Sequence, residues 1–288
     1  MALFFRILLI SLSLFSFSMN AQKRIEKIKP DIVTYKKIDT ISLQLYVYKP
    51  TLFVTTKKYP CVVFFHGGGW NSGSYKAFER QSQYLASRGI IAISATYRLK
   101  KKHGTTPFEA VKDAKSAIRY IRKNAQQLSI DPNKIAAGGG SAGGHLAAAC
   151  GIIPGINETT DDMNISAVPT ALILFNPVYD NSQNGYGYRA ISGRVNEISP
   201  LHNIREGVPP TIVFFGTEDH TTPLESTIAF EEKMKDVGSR IELHLYEGQQ
   251  HSFFNRGTFF KDTVTKMDQF LVSLNFLEGK STVYTFFK

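Results

Sequence analysis

The stretch Lys134-Ile-Ala-Ala-Gly-Gly-Gly-Ser141-Ala-Gly-Gly-His145-Leu-Ala-Ala-Ala decides how the rest of this chain is read. Ile135 to Ala137 reads as a short buried strand and Ala142 to Cys150 as a helix, so Gly139-x-Ser141-x-Gly143 occupies the turn between them. A sharp strand-to-helix turn holds its serine in strained backbone geometry and exposes it. Small residues two positions to either side let strand and helix cross. The helix that starts there also favours a developing oxyanion at its N-terminus. The same glycines match the spacing Gly138-x-Gly140-x-x-Gly143 of a dinucleotide-binding turn, with Glu158, Asp161 and Asp162 about twenty residues on. That alternative needs its acid at the end of a second strand, and Pro154-Gly155-Ile156-Asn157-Glu158-Thr159 makes a poor strand. A turn of packing glycines without chemistry is the third possibility.

Outward from the turn, short apolar runs alternate with longer helical ones. Cys61 to Phe65, Ile90 to Ser94, Ala171 to Phe175, Thr211 to Phe215 and Ile241 to Tyr246 are mostly continuous apolar segments, the pattern of strands buried on both faces of a parallel sheet. Ile41 to Tyr48 alternates instead, as a half-exposed strand near an antiparallel edge does. Helices are expected over Ala77 to Arg88, Pro107 to Leu128, Pro223 to Val237 and Lys261 to Leu274. In the second, Phe108, Val111, Ala114, Ala117, Ile118 and Ile121 share one face. Repeated strand-helix alternation gives an α/β fold with a doubly wound, mostly parallel sheet and an antiparallel N-terminal edge. No repeat or Pro/Gly/Ser-rich linker divides the chain, so residues 22–288 read as one domain. Ile153 to Pro169 and Tyr179 to Gly207, rich in Asn, Gly, Ser and Pro, are expected to pass over the top of the sheet.

Composition excludes a disordered chain or a fibre: of 288 residues, 43% are hydrophobic and 20% charged. The formal charge of +10 suits either a polyanion binder or a basic exported protein. Cys61 and Cys150 cannot make a disulfide scaffold and fall in apolar runs, so buried free thiols are expected. No Cys/His cluster has zinc-ligand spacing, and neither a metal nor an organic cofactor is expected. Arg6, the apolar Ile7 to Phe17 and the small-residue exit at Ala21 read as a signal peptide over residues 1–21, with an apolar core too short to span a bilayer. Its removal would take the charge from +10 to +9 and leave an exported protein, periplasmic or extracellular, without a stable membrane anchor.

The order Ser, then acid, then His directs the search downstream of Ser141. The strand ending at Phe215 runs into Gly216-Thr217-Glu218-Asp219-His220, and the strand ending at Tyr246 into Glu247-Gly248-Gln249-Gln250-His251. Both loops leave the carboxyl edge of the sheet, where Ser141 also sits and where open α/β sheets gather their functional groups. Asp219 is the preferred acid, with Asp180 and Glu218 as competitors, and His251 is the preferred base. Of the other histidines, His145 and His244 fall inside elements and His66 reads as a brace for its loop. Upstream, His66-Gly67-Gly68-Gly69-Trp70 ends the strand Cys61 to Phe65, and consecutive glycines let N–H groups turn toward a substrate oxygen.

These segments together resemble the hormone-sensitive-lipase-like branch of the α/β-hydrolase superfamily, in particular its short secreted carboxylesterases, which include carbohydrate acetyl and feruloyl esterases. The resemblance rests on HGGGW at 66–70, TYRL at 96–99, DPNKIAAGGGSAGGHLAA at 131–148, SPL at 199–201, PPTIVFFGTEDHTTP at 209–223 and GQQHSFF at 248–254. It implies an α/β-hydrolase fold, a Ser141–His251–Asp219 triad, and an oxyanion hole formed by Gly68, Gly69 and the N–H of Ala142. The short segment before the first strand implies that the large N-terminal cap of bigger relatives is missing and that the cleft is open.

The function expected is therefore a serine carboxylesterase acting through an acyl-enzyme on short-chain or carbohydrate-linked esters, acetyl or feruloyl. Its partner is a small-molecule or oligosaccharide ester; nucleic acid is not expected. A serine peptidase using the same triad and a non-catalytic binding protein on the same fold are the alternatives. Trp70 and Tyr179, with Tyr186 and Tyr188, are expected at the substrate, where aromatic rings stack on sugars. Lys100, Lys101 and Lys102 are expected to project from the same edge, as a solvated loop or as a cationic rim for an acidic polysaccharide.

Overall fold

The computed structural model describes residues 27–288. The leader expected over residues 1–21 lies outside them. The strands are β1 (Asp31–Ile38), β2 (Ile41–Tyr48), β3 (Tyr59–Phe65), β4 (Ile91–Ala95), β5 (Ile130–Gly140), β6 (Ala171–Phe175), β7 (Thr211–Gly216) and β8 (Ile241–Tyr246). They form one eight-stranded sheet in the order β1-β2-β4-β3-β5-β6-β7-β8. The first two pairings, β1 with β2 and β2 with β4, are antiparallel, and the remaining pairings are parallel. The helices are α1 (Glu79–Ser87), α2 (Lys100–His103), α3 (Pro107–Lys123), α4 (Ala142–Ile152), α5 (Val195–Ile198), α6 (Leu224–Asp236), α7 (Gly257–Ser273) and α8 (Val283–Phe286).

Alternating side chains of each strand feed two cores. Cys61, Val63 and Phe65 join α3, α4 and α6 on one face. Val62 and Phe64 join α1, α7 and α8 on the other. Both cysteines are free and buried, and burial raises both thiols well above their ordinary pKa.

Four local expectations need correction. β1 was not anticipated, because a bulge between Thr34 and Lys36 breaks its period-two pattern. The bulge turns Lys36 inward, where it donates to Asp113 at 2.7 Å and Glu158 at 2.9 Å. β8 is only partly buried rather than enclosed, since it is the outermost strand and pairs with β7 alone. α3 stops at Lys123, short of Leu128, because the Asn124 side chain donates back to the Tyr120 carbonyl at 2.8 Å and ends the helix. The segment 153–169 does not pass over the carboxyl edge. It follows α4, which runs away from that edge, and it packs along α3: Asp161 accepts from Ser116 and Arg119, and the Ile165 carbonyl accepts from Arg119.

Backbone packs directly against backbone where α4 crosses the ends of β3 and β5. A Cβ on Gly143 would stand 2.0 Å from the Phe65 carbonyl oxygen, and one on Gly139 would stand 2.5 Å from the carbonyl of Gly143. The obstacles are backbone atoms, which cannot rotate aside. Gly143→Ala is expected to lower unfolding stability by about 3 kcal/mol, as core overpacking does, and to lower Tm by roughly 6–12 °C at this chain size. Thermal denaturation of the variant against the parent protein measures it, and an unchanged Tm would show that the crossing yields.

Candidate functional site

Ser141 is the residue between β5 and α4, with φ 56° and ψ −124°. A non-glycine residue there costs about 1–3 kcal/mol and persists only when neighbours hold it. The neighbours are identifiable. Ser141 N–H donates to the Phe175 carbonyl at 3.0 Å, and its own carbonyl accepts from His145 at 3.0 Å and Val178 at 3.3 Å. The end of β6 and the first turn of α4 thus pin the strained residue from both sides.

His251 and Asp219 meet at the same edge. His251 Nδ1 lies 2.7 Å from Asp219 Oδ2, and the aspartate side chain is fully buried. The other oxygen, Oδ1, accepts from the N–H groups of Thr221 at 2.8 Å and Thr222 at 3.1 Å. Burial pushes the Asp219 carboxyl up, but the bonds from His251 and the two amides outweigh it and hold its pKa below the ordinary value. The competing acids are elsewhere. Asp180 is engaged by Ser182 N–H at 2.7 Å and Ser182 Oγ at 2.8 Å, while Glu218 is exposed to solvent. Ser141 and His251 border one cavity of about 410 Å³ together with Gly68, Gly69, Phe78 and Phe254. No hydrogen bond joins the two side chains among the described residues, a gap common before substrate tightens such a site.

Asn176 was not foreseen. Fully buried at the end of β6, it places Nδ2 3.1 Å from His251 Nδ1 and 3.3 Å from Nε2, the ring nitrogen that can accept from it while Nδ1 serves Asp219, and its Oδ1 accepts from Ser252 N–H at 3.2 Å. It bridges the ring to the loop that carries it. The available signal was positional: Asn176 directly follows β6 at the carboxyl edge, as Asp219 closely follows β7.

The glycine loop after β3 turns as its sequence allows. Gly68 and Gly69 have φ of 111° and 61°, values that favour glycine, and the Gly68 carbonyl accepts from Asn71 and Ser72 to close the turn. Among the described residues, the N–H groups of Gly68, Gly69 and Ala142 donate to no protein acceptor. His66 braces the loop with Nδ1 2.8 Å from the Gly67 carbonyl and its ring stacked on Tyr97 at 4.4 Å; Tyr97 in turn donates to the His66 carbonyl at 2.7 Å.

The expected aromatic contacts are redistributed. Trp70 is nearly buried and borders a second cavity, of about 680 Å³, rather than the one holding Ser141. Tyr179 is not at a substrate surface at all. It follows too closely on β6 to leave the core, is fully buried, and stacks on Phe230 at 4.1 Å. Tyr186 lies where both cavities meet, and Tyr188 borders the second. The lysine run forms α2 rather than a common rim: Lys100 borders the 680 Å³ cavity, and Lys102 borders a separate one beside His66 and Tyr75.

Comparison with known proteins agrees with this layout. The family described as BD-FAE matches residues 45–175, and the dienelactone hydrolase family matches residues 175–279. The apo form of Thermogutta terrifontis esterase 2 superimposes with a TM-score of 0.85 at 42% identity, covering 88% of this chain and 98% of that one. The same esterase phosphorylated by paraoxon gives a TM-score of 0.84 at 42% identity, with the same coverage of 88% and 98%. With butyrate bound it gives 0.84 at 40% identity, again over 88% and 98%. The carboxylesterase NlhH of Mycobacterium tuberculosis is 24% identical over 80% of this chain and 76% of its own. A probable isoprenylcysteine alpha-carbonyl methylesterase of Arabidopsis thaliana is 28% identical over 67% of this chain and 45% of its own. The chain spans about half the length or less of several curated relatives that it matches.

One buried histidine gives the site a measurable acid response. His145, one turn into α4, is fully buried beneath Trp70, with Nε2 3.0 Å from the Ile198 carbonyl. Burial lowers its pKa to about 4. An unfolded histidine takes up its proton near pH 6.5, so as pH falls below that value the unfolded state binds more protons and stability is lost. Between about pH 7 and about pH 4.5, the parent protein is expected to lose roughly 2–3 kcal/mol more than His145→Gln does, from the linkage relation. Denaturant titrations of both proteins at the two pH values test this, and equal losses would remove His145 as the source.

Proposed function

Because the chain belongs to the hormone-sensitive-lipase-like esterases of the α/β-hydrolase superfamily, we propose that it is a serine carboxylesterase with Ser141 as nucleophile, His251 as general base and Asp219 as the acid that orients it. The observation that carries this reading is the 2.7 Å contact between His251 and a fully buried Asp219, in the loops beside a serine held at φ 56°. Asp219 fixes the proton of the imidazole on Nδ1 and leaves Nε2 as acceptor. Ser141 Oγ attacks the ester carbonyl as Nε2 takes its proton, and the imidazolium then gives that proton to the departing alcohol. Water repeats the sequence on the acyl-enzyme, releasing the acid and restoring Ser141. The unengaged N–H groups of Gly68, Gly69 and Ala142 receive the oxyanion, each worth about 3 kcal/mol in such sites.

The substrates include short-chain acyl esters. A cavity of about 410 Å³ with Phe78 and Phe254 in its wall has room for a small acyl group and part of the alcohol. The butyrate-bound relative supports the acyl size, and its reaction with paraoxon is what an activated nucleophile gives. Carbohydrate-linked acetyl or feruloyl esters extend the same reading to bulky alcohols. With residues 1–21 acting as a leader, the enzyme would be exported and would meet such substrates outside the cell.

Ser141→Ala is expected to lower kcat on p-nitrophenyl acetate on the order of 10⁴-fold or more without changing the unfolding transition, since a lost nucleophile disables the whole triad. Substantial remaining turnover would remove Ser141 from this role. Asp219→Asn should cost far more than Asp180→Asn in the same assay; the reverse order would move the acid to the loop after β6. Asn176→Ala should reduce kcat by up to about 10²-fold through a misplaced imidazole, with KM little changed. An unaltered kcat would make Asn176 a packing residue only.

A further inference from the structure

The 680 Å³ cavity is the larger of the two beside the oxyanion loop, and the mechanism above does not use it. Its floor is Trp70, and its walls include Lys100, Gln183, Tyr186, Tyr188 and Arg189. Gly69 and Tyr186 border both this cavity and the one containing Ser141, so the two adjoin across the loop that receives the oxyanion.

Internal bonds hold this cavity in shape. Asn181 Nδ2 donates to the Tyr186 carbonyl at 2.9 Å, and Tyr186 N–H donates to the Asp180 carbonyl at 2.9 Å. The Trp70 ring packs edge-on against His145 at 5.0 Å and tilts toward Tyr186 at 5.7 Å. Lys100 N–H donates to the Trp70 carbonyl at 2.9 Å, which ties the start of α2 to the glycine loop.

Its charge is one-sided. Lys100 and Arg189 are exposed, and neither side chain has an ion pair or hydrogen bond among the described residues. No carboxylate borders the cavity. Two cations lining one cavity with Trp70, Tyr186, Tyr188 and the Gln183 amide suit a carboxylate carried on an apolar stem: guanidinium and ammonium can hydrogen-bond the anion, and the rings can cover the stem.

The chemistry decides which half of the ester reaches it. His251 must protonate the leaving alcohol, so the alcohol departs on the His251 side. His251 borders the Ser141 cavity and a further one with Phe253 and Phe259, but not the cavity over Trp70. The acyl half is left to extend past Gly69 and Tyr186. We propose that the Trp70 cavity is an acyl subsite for chains ending in a carboxylate, and that the preferred substrates are half-esters of dicarboxylic acids. Hydrolysis of such an ester breaks the acyl carbon–oxygen bond and adds water across it, releasing the alcohol and a dicarboxylate. The proposal rests on the serine esterase reading above.

The test compares kcat/KM for the mono-p-nitrophenyl esters of adipic, pimelic and suberic acids with that for p-nitrophenyl hexanoate, heptanoate and octanoate. The parent protein is expected to prefer the acid ester at one or more of these chain lengths, by about tenfold at low salt, the size of one charge-assisted hydrogen bond. The preference should fall as salt rises, because both cations are exposed. In Lys100→Gln/Arg189→Gln, the ratio of acid to neutral kcat/KM should drop by about the same tenfold. A ratio that the double variant leaves unchanged at every chain length, or a parent protein that cleaves the neutral esters and rejects the acid ones, overturns the subsite. Failure to cleave any ester, neutral ones included, overturns the esterase reading instead.

Discussion

The structure depends on one steric constraint, the crossing of α4 over the carboxyl ends of β3 and β5 with backbone against backbone. Gly143 leaves no room for a Cβ beside the Phe65 carbonyl, and Gly139 none beside Gly143. That contact sets where the first turn of α4 begins, and Ser141 takes φ 56° because the chain must reverse within one residue. The same contact brings the glycine loop to the serine: a Cβ on Gly67 would lie 3.2 Å from that of Ser141. Nucleophile, oxyanion loop and helix N-terminus therefore share one rigid frame. The proposed chemistry requires such a frame, since donors help only when they are placed before charge develops.

A second frame, electrostatic in kind, supports the flank. Asp113 is fully buried and binds Arg98 through both oxygens, at 2.8 Å each, and Lys36 at 2.7 Å. Glu158 joins from the segment after α4, 2.9 Å from Lys36 and 3.0 Å from Arg98. Four charges on β1, the loop after β4, α3 and the loop after α4 thus satisfy one another. Removing one partner from such a cluster costs about 3–5 kcal/mol, because a buried charge is left unpaired. Arg98 is two residues from α2, so the cluster also fixes where Lys100 emerges beside the glycine loop.

The sequence was most informative where one physical rule acts locally. The glycine spacing around Ser141 located the strand-to-helix turn because the steric demand falls on those residues themselves. β6 runs from Ala171 to Phe175, the bounds its apolar run predicts, since burial writes hydrophobicity directly into a strand. β1 was hidden because its bulge serves a tertiary partner, Asp113, seventy-seven residues from Lys36. Tyr179 and Tyr186 show the same limit. Both are tyrosines in one loop, yet a ring next to the end of β6 is drawn onto Phe230, and one seven residues later is free to reach the cleft. Asn176 carries no motif of its own, and its place beside His251 depends on the sheet order β6-β7-β8 and on the loop after β8 reaching back across β7.

The basic composition looks different once each cation is traced to its partners. A formal charge of +10 taken as a bulk property points to a polyanion. Yet Lys36, Arg88, Arg98 and Arg119 are committed to buried or half-buried carboxylates. Lys115 is buried outright, closing the C-terminal end of α4 through the carbonyls of Ile153 and Gly155, and its pKa is lowered to about 8 by burial. Such cations are neutralised or enclosed and offer little field to an approaching ligand. The charges that can act on a substrate are those left unpaired at a cavity mouth, and at the cavity over Trp70 these are Lys100 and Arg189. A local pair of this kind selects by where along an acyl chain the anion falls, a discrimination that net charge alone cannot provide.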